Sequence, residues 1–221
     1  IKYHDEQPAA SSQLSIAYMI GEQHDLLPVP QMLDTHPGMM ILGRKACGKR
    51  TTLMAIGEAI TKRFSPEQAR ITIIETGQVP QEYREQHGSF PDMFERMVRT
   101  EDPTATVDVV SIPNGDALPD PGKLEAVLIT GAAAGVYDGL DWIAPLEHFV
   151  RTAYANKTPM VGICFGHQLI AQALGGTVRK SEKGWGIGRH VYQVLPENGV
   201  IACEEVAIAA SHQDQVIEPP N

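Results

Sequence analysis

The residues best suited to chemistry lie in one run, Pro159-Met160-Val161-Gly162-Ile163-Cys164-Phe165-Gly166-His167-Gln168. An apolar strand runs into Gly-x-Cys-x-Gly and then into a helix, the layout of a nucleophile elbow with cysteine in place of serine. The glycines permit a sharp, crowded turn that lifts the thiol above a sheet. The N-terminus of the following helix offers a positive dipole end and free N–H groups, which favour thiolate over thiol. The Phe165 N–H would face a developing oxyanion. The non-catalytic alternative is a buried cysteine in a glycine-rich strand–helix turn.

Thiol attack also needs a base, itself held by a third group. Ser211-His212-Gln213-Asp214 supplies His212 and Asp214 for a Cys–His–Asp arrangement; the alternative is a hydrogen-bonded loop. His167, three residues past Cys164, reads as a capping or partly buried helix histidine.

A second run, Gly43-Arg44-Lys45-Ala46-Cys47-Gly48-Lys49-Arg50-Thr51, nearly matches G-x-x-x-x-G-K-[ST], after a short strand and before a helix. Gly43 and Gly48 would let backbone amides curl around phosphates, and Lys49 would reach the terminal ones. ATP with magnesium is the ligand this pattern calls for. Arg50, however, stands where the magnesium-binding hydroxyl belongs, and Thr51 comes one residue late, about 100° further round a helix. A structural turn that binds an anion without turnover is the alternative.

These runs must be positioned by alternating strands and helices. Leu14–Ile20, Met39–Leu42, Ile71–Ile74, Val107–Ile112, Ala126–Thr130 and Pro159–Ile163 read as strands, and Arg189–Leu195 and Glu205–Ala210 as later ones. Thr51–Phe64 has helical spacing, and Glu82–Arg99 is helical in part, interrupted at Gly88 and Pro91. Asp141–Asn156 is an amphipathic helix with Ile143, Leu146, Phe149, Val150 and Ala153 on one face. Gln168–Leu174 is a helix stopped by Gly175-Gly176. The order predicts an α/β fold, a mainly parallel doubly wound sheet with helices on both faces and sites at the carboxyl ends of its strands.

With 221 residues and 43% hydrophobic content the chain can bury a sizeable core. A net charge of -9 argues against a nucleic-acid binder. Three scattered cysteines, Cys47, Cys164 and Cys203, support neither a disulfide framework nor a zinc site, which favours a reducing, cytoplasmic setting. The longest uncharged run, Thr158–Val178, carries His167, Gln168, Gln172 and several glycines, so no membrane span is expected. The chain opens on Ile1 and closes on Glu218-Pro219-Pro220-Asn221, as a piece of a longer protein would.

The elbow, with Ala173-Leu174-Gly175-Gly176 after it, resembles the class I glutamine amidotransferases. So do Ile129-Thr130-Gly131-Ala132-Ala133-Ala134-Gly135-Val136-Tyr137-Asp138 and Ser211-His212-Gln213-Asp214-Gln215-Val216. Gly184-Trp185-Gly186-Ile187-Gly188 looks like members similar to GMP synthase amidotransferase domains and gamma-glutamyl peptidases. The resemblance covers about 73–221. It implies a flavodoxin-like amidotransferase fold and a cofactor-free site in which Cys164 attacks the side-chain amide of glutamine or a gamma-glutamyl compound. It places an oxyanion hole at Ala132, beside Gly131, and Phe165, and Gln168 in the glutamine pocket. It also implies a His-Pro-Glu motif beyond Ser-His-Gln-Asp. The sequence given has none, and His36-Pro37-Gly38 lacks the carboxylate, so impaired turnover is expected.

Residues from about 15 to 74 resemble part of a degenerate P-loop module of the FtsK-like ATPases of type VII secretion. The resemblance rests on Ile20-Gly21-Glu22, Leu27-Pro28-Val29, the glycine-rich run and Phe64-Ser65-Pro66-Glu67-Gln68-Ala69-Arg70. The domain expectation is a partial P-loop-like segment over 1–74 and an amidotransferase-like domain over 75–221, joined in a chimera-like way. Three functions follow: a cysteine-dependent glutaminase, amidotransferase or gamma-glutamyl hydrolase, a nucleotide-binding module, or a non-catalytic fragment.

Overall fold

Strands that lack polar alternation belong in the middle of a parallel sheet, covered on both faces. Three segments meet that condition. β3 (Arg70–Glu75) is buried from Ile71 onward, and β5 (Ala126–Ile129) and β6 (Met160–Gly162) are buried throughout. The computed structural model describes residues 17–20, 38–41, 70–193 and 205–220. The six-stranded sheet has the order β1-β2-β6-β5-β3-β4, with β1 (Ala17–Ile20), β2 (Gly38–Ile41) and β4 (Thr106–Ser111) completing it. Every pairing is parallel except that of β1 with β2. This is the expected mainly parallel α/β sheet. The division expected at residues 74 and 75 falls inside β3. Gly43, Gly48, Lys49, Thr51 and the helix expected over 51–64 lie outside the described residues.

The connection from β3 to β4 carries α1 (Gln81–His87) and α2 (Phe90–Glu101). Gly88, at φ 79, separates the two, and Ser89 caps α2 through a reciprocal bond with Asp92. The interruption expected around Gly88 and Pro91 is therefore a break between helices, with Pro91 in the first turn of the second. The connection from β5 to β6 carries α3 (Ile143–Ala155). The two crossovers run toward opposite edges of the sheet, so right-handed connections place α1–α2 and α3 on opposite faces.

α3 buries Ile143, Leu146, Phe149, Val150 and Ala153, the face its spacing predicts. They pack with Ile74, Val127, Ile129 and Met160 of the sheet and with α4 (Phe165–Ala173), which is buried along almost its whole length. Phe165 is fully buried and tilts against Trp142, ring centroids 5.4 Å apart. Burial of such a ring contributes roughly 2–3 kcal/mol and anchors the first residue of α4.

Beyond α4 the chain leaves the central sheet. β7 (Thr177–Lys180) pairs antiparallel with β10 (Asp214–Glu218), and β8 (Gly186–Gln193) with β9 (Glu205–His212). β6 is thus the last strand that the chain contributes to the central sheet, and the later strands form two ribbons. Val178 and Val216 tie the first ribbon to the core.

Candidate active site

The carboxyl ends of β3, β5 and β6 converge through main-chain and threonine contacts. Thr130 donates its N–H to Ile74 O at 3.0 Å, and Ile163 donates to Ile129 O at 2.9 Å. Thr76 donates its N–H to Thr130 Oγ1 at 3.0 Å and its hydroxyl to Thr130 O at 2.9 Å. Both threonines are buried, so these bonds form away from competing water.

Cys164 joins β6 to α4 with φ 54 and ψ -106, a left-handed conformation that costs a non-glycine residue on the order of 1–3 kcal/mol. The close approach of the flanking glycines holds it there. A Cβ on Gly162 would lie 2.6 Å from His167 N, and one on Gly166 would lie 2.9 Å from the Ile129 carbonyl carbon. Gly131 packs on the cysteine itself, since a Cβ there would meet the Cys164 Cβ at 3.4 Å. Burial, helped by the nearby Asp214 carboxylate, pushes the Cys164 thiol above its ordinary value and outweighs the neighbouring Phe165 N–H, which acts to lower it. The helix N-terminus therefore does not by itself make the thiolate expected from the sequence.

Asp214, at the start of β10, holds the other side. Its main-chain oxygen accepts from Gln168 Nε2 at 3.1 Å and lies 3.0 Å from His212 Nδ1, while its carboxylate accepts the Tyr137 hydroxyl. Loss of hydration at the ring and the Asp214 hydrogen bond push the Tyr137 phenol well above its ordinary value. Gly135 donates to Asp138 Oδ2 at 2.7 Å, and its Cα faces Asp214 Oδ2 and the Tyr137 ring. His167 is buried in α4; burial, with the charge of His212 nearby, lowers its pKa to about 3.

Of the residues singled out from sequence, Cys164, Phe165 and Gly131 are brought together directly. Gln168 and His212 join through Asp214, and Ala132 is partly buried against the core beside Gly131. The carboxylate of Asp214 engages Tyr137; His212 addresses the main chain of residue 214. Tyr137, Thr76 and Thr130 carry no chemical signal of their own in the sequence. A Gly-x-Tyr-Asp turn after a strand marks the position of Tyr137, but its partner is 77 residues away. Among the described residues no group of three or more His, Cys, Asp or Glu side chains could hold a metal ion. Nor is any helix there long and apolar enough to cross a membrane.

The family pattern "Glutamine amidotransferase class-I" matches residues 86–221. The chain belongs to that family. Its amidotransferase part is 35% identical over 105 residues to gamma-glutamyl peptidase 4 of Arabidopsis thaliana, covering 44% of this chain and 42% of that protein. It is 29% identical over 117 residues to the glutamine-hydrolyzing GMP synthase subunit of Saccharolobus solfataricus, covering 52% and 60%. A glutamine amido transferase crystal structure from Methylobacillus flagellatus shares the fold, with a TM-score of 0.54 and 24% identity over 68% of this chain and 58% of that one. The chain spans about half the length of the curated relatives it matches.

Proposed function

We propose that this amidotransferase-family chain carries a thiol site for glutamine or a gamma-glutamyl amide, with Cys164 as nucleophile. The observation that carries the reading is the strained junction of Cys164 between β6 and α4, with Gly131 against its Cβ. The thiolate sulfur forms a bond to the side-chain carbonyl carbon, and the carbonyl electrons move onto oxygen. That oxyanion takes hydrogen bonds from the Phe165 and Ala132 N–H groups. Collapse breaks the C–N bond, and the proton removed from the thiol leaves with ammonia or the amine. Water then cleaves the glutamyl thioester, giving glutamate and restoring the thiol. Gln168 lines the substrate pocket, and Asp214 positions Gln168 and His212.

Burial holds the Cys164 proton on, so turnover requires an imidazole base close to the sulfur. His212 is the candidate base among the site residues described. The 221-residue chain is expected to hydrolyse glutamine slowly, because burial keeps the proton on the thiol that must attack. A diazo-ketone glutamine analogue should modify Cys164, with the adduct located by peptide mass spectrometry, and Cys164→Ala should abolish it. Faster labelling at Cys47 or Cys203 would sink the proposal. Loss of a substantial glutaminase activity by orders of magnitude in His212→Ala would make His212 the base.

A second reading, anion or nucleotide binding by Gly43, Gly48, Lys49 and Thr51, is favoured by one observation. β2 ends at Ile41, two residues before Gly43, and runs parallel to β6. Filter binding of labelled ATP, with Lys49→Ala as control, tests it.

A further inference from the structure

Glu75 closes β3 and is 4% exposed. It shares a sheet face with Ile71 and Ile73, opposite the face on which Ile74 packs against α3 and α4. Its register partner on β4 is Ser111, whose hydroxyl donates to Glu75 Oε2 at 2.6 Å. The other carboxylate oxygen, Oε1, is buried and has no hydrogen-bond partner. An acceptor left this way costs about 1–3 kcal/mol, more if charged. The Arg84 Nε of α1 is also buried without an acceptor.

Both residues line one cleft of about 460 Å³ between the carboxyl ends of β3 and β4 and the α1–α2 junction. That volume is in the range of small-molecule sites. One acceptor oxygen on each of three other wall residues is already engaged. Asp116 Oδ2 accepts the Ser111 N–H at 2.8 Å, Asp92 Oδ2 accepts the Ser89 N–H at 2.7 Å, and Asn114 Oδ1 accepts from Gln78 Nε2 at 3.1 Å. The wall of the cleft therefore holds one buried acceptor and one buried donor that no protein group satisfies, among several carboxylates. β5 separates β3 from β6, so the cleft lies on the order of 10 Å along the sheet from the thiol strand.

We propose that this cleft is a second ligand site for a small primary amine bearing an oxygen acceptor, an amino alcohol or amino acid, its ammonium on Glu75 Oε1 and its oxygen on Arg84 Nε. The charge balance of the wall selects the cation. The guanidinium, whose N–H groups only donate, selects the oxygen. The assignment does not rest on the thiol reading.

The test is a titration of the isotope-labelled 221-residue chain with ethanolamine, followed by backbone amide resonances. Saturable shifts should centre on 75–76, 84–92 and 109–116 and persist unchanged in Cys164→Ala. Glu75→Gln should weaken binding roughly tenfold or more, the effect of losing a charged hydrogen-bond partner. Arg84→Met should weaken ethanolamine but leave ethylamine, which has no oxygen, unaffected, and this pair decides the matter if Glu75→Gln does not fold. Sodium acetate should produce no saturable shift at these amides. The proposal fails if ethanolamine gives no saturable shift there, if acetate binds equally well, or if the shifts centre on 131–138 and 212–214. It also fails if Glu75→Gln folds and binds as the parent does, or if Arg84→Met weakens both amines alike.

Discussion

The Tyr137 hydroxyl donates to the carboxylate of Asp214, joining the loop after β5 to the corner between β9 and β10. The same carboxylate raises the pKa of the Cys164 thiol. Tyr137 therefore moderates a negative charge that the nucleophile feels.

Removing that charge should make the thiol more acidic. Asp214→Asn is expected to speed iodoacetamide alkylation of Cys164 at pH 8 by roughly 2–10-fold. Tyr137→Phe should slow it. In the parent the alkylation rate should still be rising above pH 9, the ordinary value of the thiol. An alkylation profile unchanged in Asp214→Asn would show that the carboxylate does not govern the thiol.

The buried His167 makes the fold acid-sensitive. Its pKa is held at about 3, against an ordinary 6.5, so between those values the unfolded chain binds a proton that the native state refuses. Stability should fall as pH drops through this window, by up to about 1.4 kcal/mol per pH unit. Urea midpoints of His167→Gln should show a shallower decline than the parent between pH 6 and pH 4. Parallel declines would place the acid sensitivity elsewhere.

The elbow glycines have no room for a side chain. Gly166→Ala would press a methyl group against the Ile129 carbonyl, and Gly162→Ala against the first turn of α4. Each should cost about 3 kcal/mol or more, as overpacking against immovable backbone does. Chemical denaturation measures this, and a loss under about 1 kcal/mol would mean that β6 and α4 can separate cheaply.

The glycine-rich run near the start should hydrolyse ATP weakly at best, because Arg50 replaces the hydroxyl that would hold magnesium. Arg50→Ser alone should not restore turnover. A magnesium-dependent phosphate-release assay with robust activity in the parent chain would refute this.

What is legible in the sequence follows from local constraints. β3, β5 and β6 announce themselves as apolar runs, and Gly162, Cys164 and Gly166 mark a turn whose crowding no other spacing would need. The buried face of α3 repeats at helical spacing over thirteen residues. β7 and β10 give no such signal: they are four and five residues long and are stabilised by pairing with each other across the intervening ribbon. The residue pattern predicts that α4 begins at Gln168, but it starts at Phe165, because the buried ring against Trp142 draws the first turn forward. The thiol's shift runs opposite to its expected direction for a related reason. A helix terminus is visible in sequence, whereas desolvation and a carboxylate fifty residues away depend on the packed fold.

Gln168 and His212 both address the main-chain oxygen of residue 214. The Gln168 bond that docks the ribbon onto α4 is thus available whichever amino acid stands there. Position 214 works like a dial mounted on a fixed bracket: the electrostatic setting of the pocket can be changed while the bracket stays bolted in place.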